Sequence, residues 1–171
     1  MSHPCIAEIQ DKEWFRRADW LQRHQDLLKR RSSLRDTQVV FFGDSITEGW
    51  LGGGKPSWDK HFVQFRPLNV GIGGDETCHL LWRMEQGALD GIAPKVLVLL
   101  IGTNNMGNAG HTGNDSAEGV KLVVQKIREK LPQTKILLLA VFPRDAEPGT
   151  HFRKEIAVLN GIISKLHDGK M

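Results

Sequence analysis

A hydroxyl, a pair of glycines and a carboxamide each follow an apolar run in this chain, and together they suit acyl transfer. The hydroxyl is Ser45, in Gly43-Asp44-Ser45, directly after Val39-Val40-Phe41-Phe42. The glycines are Gly73-Gly74, in Gly71-Ile72-Gly73-Gly74-Asp75, after Leu68-Asn69-Val70. The carboxamide is Asn104, in Gly102-Thr103-Asn104-Asn105, after the run from Lys95 to Ile101. A serine hydroxyl can attack an acyl carbon. The oxyanion so formed needs hydrogen-bond donors aimed at it, and glycine N–H groups and an asparagine amide can serve. Each motif also has a plainer reading. Gly-Asp-Ser is a common turn composition. The glycine cluster lacks the register of a dinucleotide fingerprint, because Glu76 stands where the third glycine belongs. Gly52-Gly53-Gly54 runs into Lys55-Pro56, so it is no P-loop and reads as a loop at the mouth of the site.

For these groups to act together, one sheet must deliver them to one end. The strands expected are 38–42, 68–70, 95–101 and 135–141. Helical spacing lies between them. Residues 11–31 carry Trp14, Ala18, Leu21 and Leu28 and are expected to form an N-terminal amphipathic helix packed on the domain. A short helix or turn is expected at 58–65. A helix after the glycine cluster carries Thr77, Leu80, Leu81, Met84 and Ala88. Another opens at Asp115 and carries Val120, Val123, Val124, Ile127 and Leu131. The last carries Ile156, Leu159, Ile163 and Leu166 and stops at Gly169. The glycine-rich stretch 106–114 reads as a mobile loop. Continuous apolar strands joined by helices predict a parallel sheet covered on both faces, with ligands at the strand C-termini.

The totals narrow the classes. A chain of 171 residues, 40% hydrophobic and 25% charged, is expected to form a single soluble domain over residues 1–171. A net charge of +3 is too small to imply nucleic acid, and Lys29-Arg30-Arg31 reads as a solvated helix end. Cys5 and Cys78 form neither a disulfide framework nor a zinc pattern. No apolar run is long enough to span a bilayer. Met1–Asp11 has no signal-type apolar run, which sets a cytoplasmic expectation.

The three motifs, in this order and spacing, resemble the SGNH (GDSL-type) esterase and lipase family. The longer string Leu68–Asp75, then His79-x-Leu81-Trp82-Arg83, then Gly102–Asn105, is most similar to the branch containing the catalytic subunits of platelet-activating-factor acetylhydrolases. The resemblance implies a flavodoxin-like three-layer α/β/α sandwich. It also implies hydrolysis of a short acyl ester, an acetyl ester foremost, through an acyl-serine and with no cofactor or metal. The substrate would be an acetylated carbohydrate, a phospholipid acetyl ester or another small ester. By position, Ser45 is the nucleophile, while the Ser45 and Gly74 N–H groups and the Asn104 amide form the oxyanion hole. Asp44, Gly73, Asp75 and Met106 are expected to line the substrate pocket.

One departure limits this expectation. The family's Asp-x-x-His, which supplies the general base, has no match here, and His167-Asp168 has the wrong order and spacing. The chain is therefore expected to lack the last strand and closing helix, and to be weak or inactive as it stands. His151 is the best internal base candidate, with a surface histidine as its alternative; His79 is expected to pack near the glycine loop. The 135–141 strand would then be an open edge, inviting a homodimer or completion by a second polypeptide. A non-catalytic binding module with the same pocket is the competing reading. A flavin or nucleotide binder of the same topology lacks its phosphate loop here.

Overall fold

A computed structural model describes residues 2–14 and 16–169; Met1, Phe15, Lys170 and Met171 lie outside them, so the expected 11–31 helix and the 1–171 domain are described without these positions. The sheet is built from β1 (Val39–Gly43), β2 (Pro67–Asn69), β3 (Val96–Leu100) and β4 (Lys135–Leu138). All pairs are parallel, in the order β2-β1-β3-β4. Runs such as Val39-Val40-Phe41-Phe42 favour this because β-branched and aromatic side chains fit a pleated surface. Parallel neighbours need crossover helices, which the intervening apolar-periodic segments supply.

Register sets the two faces. Val40 pairs with Leu68 and Leu97, and Leu97 with Ile136, while Phe42 pairs with Leu99, and Leu99 with Leu138. This face carries the core, covered by α4 (Thr77–Glu85), α6 (Gly113–Lys130) and α7 (His151–Ile163). Helix α6 starts two residues before the expected Asp115. Thr112 is its cap and accepts from the Asp115 N–H, while Asp115 accepts in return from the Thr112 N–H.

The opposite face carries Phe41, Val98 and Leu137 in one row. Helix α3 (Lys55–His61) covers only its β1 side, through Trp58 and Phe62 against Phe41. Beyond α3 lies an apolar groove of about 430 Å³, lined among others by Trp50, Phe62, Val98 and Leu137. The expectation that 95–101 and 135–141 are buried on both faces is thus corrected. Val96 and Val98 are half-buried, and β4 is half-exposed along its length, with Leu137 40% exposed. The physical reason is position: β4 is the sheet's edge and has no strand on its outer side among the described residues.

The N-terminal helix is also shorter than expected. Helix α1 spans Arg17–Lys29. Its inner face is Trp20, His24 and Leu27, in place of the expected Trp14, Ala18, Leu21 and Leu28. Residues 2–14 instead run non-helically across the molecule. Pro4 O accepts from Thr77, and Gln10 and Lys12 donate into the 73–76 loop. No described helix is long and apolar enough to cross a membrane.

Asp44 joins β1 to the short helix α2 (Ser45–Glu48). Its Oδ1 caps α2 by accepting from the Ile46 N–H at 2.9 Å. The residue is fully buried, and Oδ2 has no hydrogen-bond partner among the described residues. This corrects the expectation that Asp44 lines the substrate pocket: its carboxylate is the cap under the serine. Burial pushes its carboxyl up to about 6, opposed by the Ile46 N–H and reinforced by the Asp75 charge. A carboxyl that holds its proton more tightly when folded contributes stability at low pH that is lost as pH rises through about 4 to about 6. Asp44→Asn keeps the cap oxygen and removes the charge. The variant should melt higher than the wild type near pH 7.5, and the difference should close at about pH 4. A difference in melting temperature that does not change with pH would contradict this.

Candidate active site

Ser45 is the first residue of α2, so β1 delivers its hydroxyl to the sheet's C-terminal end. The side chain is exposed, and Oγ makes no hydrogen bond among the described residues. The Ser45 N–H lies in the first turn of a helix, where backbone donors lack intrahelical acceptors.

The glycine loop after β2 packs against this serine. A side chain at Gly73 would meet Ser45 Cβ at 3.8 Å and Glu48 Oε2 at 3.1 Å. Gly74 has φ +78°, in the left-handed region, and a Cβ there would lie 2.5 Å from the Trp14 indole. Both demands select glycine. Three successive loop carbonyls are then held by side-chain donors. Gln10 Nε2 donates to Gly73 O at 3.1 Å, Lys12 Nζ to Gly74 O at 2.6 Å and Asn104 Nδ2 to Asp75 O at 2.9 Å. The Gly73 N–H donates to Glu48 Oε2 at 2.8 Å, and Glu48 also pairs with Arg23. The Gly74 N–H is left without a hydrogen-bond acceptor among the described residues.

Asn104 sits in α5 (Thr103–Gly107), a short helix where the sequence suggested only a polar turn. One amide hydrogen is spent on Asp75 O, which leaves the second for a ligand. The structure therefore brings Ser45, Gly73-Gly74 and Asn104 to neighbouring strand ends, with the Gly74 N–H and one Asn104 N–H lacking an acceptor among the described residues.

Two other predicted pocket residues are placed elsewhere. Met106 is buried in the core cluster within α5, so the expectation of a mobile loop beginning there is corrected as well. Asp75 is fully buried and presents nothing to a substrate. Its Oδ2 accepts from Arg83 Nη1 at 2.8 Å, and its Oδ1 accepts from Trp20 Nε1 at 2.7 Å and Gln10 Nε2 at 2.9 Å. Burial pushes its carboxyl up to about 6, against the pull of Arg83, Trp20 and Gln10. Arg83, also buried, donates its Nη2 to Val70 O at 2.8 Å. Arg83, Gln10, Lys12, Trp20 and Glu48 are absent from the sequence-based site. Only Arg83 carried a signal, as a cation among the apolar residues of an otherwise buried helix.

No histidine hydrogen-bonds to Ser45 among the described residues. His79 is buried, and its Nδ1 accepts from the Glu76 N–H at 2.9 Å to cap α4. Burial, then Lys12 and Arg83, push its ring down to about 3, so it stays neutral. His151 is exposed at the start of α7. Glu8, Cys78 and His79 bring three ligand-type atoms within 4.8 Å of one another. His79 Nδ1 is occupied as an acceptor, which puts the ring proton on Nε2 and leaves this imidazole no free lone pair for a metal; burial, then the charges of Glu76 and Glu8, push the Cys78 thiol up to about 12.

Known proteins resemble this chain in sequence and in fold. The chain is 40% identical over 135 residues to the platelet-activating factor acetylhydrolase IB subunit beta homolog of Drosophila melanogaster, covering 79% of this chain and 57% of the relative. It is 38% identical over 129 residues to the human subunit alpha1, covering 75% and 53%. The chain thus spans about half the length of the relatives it matches. Among solved structures, a GDSL-like lipase from Bacteroides thetaiotaomicron superposes with TM-score 0.64 at 20% identity, covering 84% of this chain and 72% of that one. A member of the lipolytic G-D-S-L family from Veillonella parvula gives 0.63 at 15%, covering 75% and 71%. These likenesses establish the flavodoxin-like α/β fold. The model of the GDSL-like lipase/acylhydrolase family matches residues 41–170, which include Ser45, the glycine loop and Asn104, and the chain belongs to that family.

Proposed function

We propose that the site is that of a serine ester hydrolase acting on a short acyl group, an acetyl group foremost. The observation that carries this is the Asn104–Asp75 hydrogen bond, which ties the carboxamide to the glycine loop packed on Ser45. In this reading Ser45 Oγ attacks the ester carbonyl. Its oxygen takes up negative charge and accepts from the Ser45 and Gly74 N–H groups and the Asn104 amide. The C–O bond to the leaving oxygen then breaks as the proton from Ser45 passes through solvent to that oxygen, releasing the alcohol; water then attacks the acyl-serine, the acid departs, and a proton of that water restores the Ser45 hydroxyl. Donors fixed in advance need no reorganisation at the moment of reaction. The acetyl preference draws on the names of the acetylhydrolase relatives, and an acetylated carbohydrate or another small ester fits the same chemistry. Without a base on its hydroxyl, Ser45 is a weak nucleophile near neutral pH. This chain alone should therefore turn over slowly, and that same observation favours a second reading, a ligand-binding module that does no chemistry.

We also infer that a second polypeptide, a second copy of the chain foremost, lies along β4. The open edge, the exposed Leu137 and the half-exposed Phe142 beside it support this.

Reaction with a fluorophosphonate separates the two readings. The enzyme reading predicts a single adduct on Ser45 by intact mass and peptide mapping, none in Ser45→Ala, and labelling slowed about 100-fold in Asn104→Ala. No adduct on the folded wild type would leave the binding module. Light scattering on the same preparation should give more than one chain mass, and a monodisperse monomer that melts cooperatively would contradict the edge partner.

A further inference from the structure

We propose that Gln10 is a positioning residue that aims the Gly74 N–H at the oxyanion; this rests on the esterase reading of the site. The Gly73 carbonyl and the Gly74 N–H belong to the same peptide unit, and in a trans peptide they point in opposite directions. Gln10 Nε2 donates to Gly73 O at 3.1 Å, so it fixes the plane of that unit and with it the direction of the Gly74 N–H. Among the described residues no other donor reaches that carbonyl, and the neighbouring carbonyls of Gly74 and Asp75 are taken by Lys12 and Asn104.

Gln10 is well placed for such a task. It is fully buried, so no water competes for the carbonyl. The same Nε2 donates to Asp75 Oδ1 at 2.9 Å, and Asp75 is itself clamped by Arg83 and Trp20. The amide therefore has its position set from the protein interior. Gly74 has no side chain to resist rotation of the unit, and glycine occupies positive and negative φ with comparable ease. A glycine pair that must present one N–H in one direction needs an external constraint, and Gln10 supplies it. Its Oε1, buried and without a hydrogen-bond partner among the described residues, lies 2.8 Å from where a Gly74 Cβ would be.

Two variants test this on the intact chain. Gln10→Met keeps the length and loses the donor, and Gln10→Glu keeps the shape and replaces the donor with a carboxylate oxygen. Each is compared with the wild type by thermal melting, by the rate of Ser45 phosphonylation, by kcat and KM on p-nitrophenyl acetate, and by the amide resonance of Gly74 in 15N-labelled protein before and after phosphonylation. In the wild type, the Gly74 amide proton should move downfield as the phosphonyl oxygen takes the oxyanion position. In a folded variant that shift should be lost, phosphonylation should slow about 10-fold or more, and kcat should fall with KM little changed. A merely structural role would lower the melting temperature and leave the Gly74 shift in place. If Gln10→Glu fails to fold, Gln10→Met carries the test. A wild type that labels, with variants that label equally fast and keep the shift, overturns the role of Gln10 alone. A folded wild type that never labels overturns the esterase reading and this inference with it.

Discussion

The buried carboxylate of Asp75 is the interaction on which the site depends. A charge with no access to water is tolerated only where partners replace its solvent. Here Arg83, Trp20 and Gln10 do so, from α4, α1 and the N-terminal segment. Arg83 spends its other amino group on the Val70 carbonyl, at the start of the loop that leads to Gly73 and Gly74. One acid thus ties β2, its following loop, two helices and the chain's beginning into a unit. The constraint is strong because it is unforgiving: removing one partner of such a buried pair costs about 3–5 kcal/mol, since the other charge is left stranded.

From that hub outward, each constraint leaves a particular group unoccupied. The carbonyls of Gly73, Gly74 and Asp75 are all satisfied by side chains, and the Gly73 N–H is taken by Glu48. Glu48 lies on the same short helix as Ser45, so the loop and Ser45 are referenced to one another within a single turn. What remains toward Ser45 is the Gly74 N–H and half of the Asn104 amide. An oxyanion site is defined less by the donors it contains than by donors that the protein itself has not used. The Ser45 hydroxyl is exposed and has no histidine hydrogen-bonded to it among the described residues.

Much of this was legible in the sequence, for a local reason. Strand–turn junctions are short, so Ser45, Gly73-Gly74 and Asn104 could be placed at strand ends from apolar runs and turn residues alone, whereas the open edge at β4 followed only from the family resemblance. Asp75 and Asp44 look like site residues because they adjoin Gly74 and Ser45, yet both face inward; adjacency in sequence says nothing of which side of a turn a carboxylate takes. Met106 was misplaced because glycines near it suggested a loop, whereas its side chain fills the core. The clamp itself was illegible. Gln10 and Trp20 reach Asp75 across 65 and 55 positions, and no periodicity encodes such a pairing. Trp14 looked like part of a helical stripe, but it lies ahead of α1 with its indole against Gly74, in the segment whose Gln10 and Lys12 donate to the glycine loop.

The most direct test of the central claim is a crystal structure of the chain with Ser45 phosphonylated by a small fluorophosphonate. The account predicts that the phosphonyl oxygen lies within hydrogen-bond distance of the Ser45 N–H, the Gly74 N–H and Asn104 Nδ2, with Asn104 still bonded to Asp75 O. A phosphonyl oxygen turned to solvent, with the Gly74 N–H facing elsewhere, would contradict it.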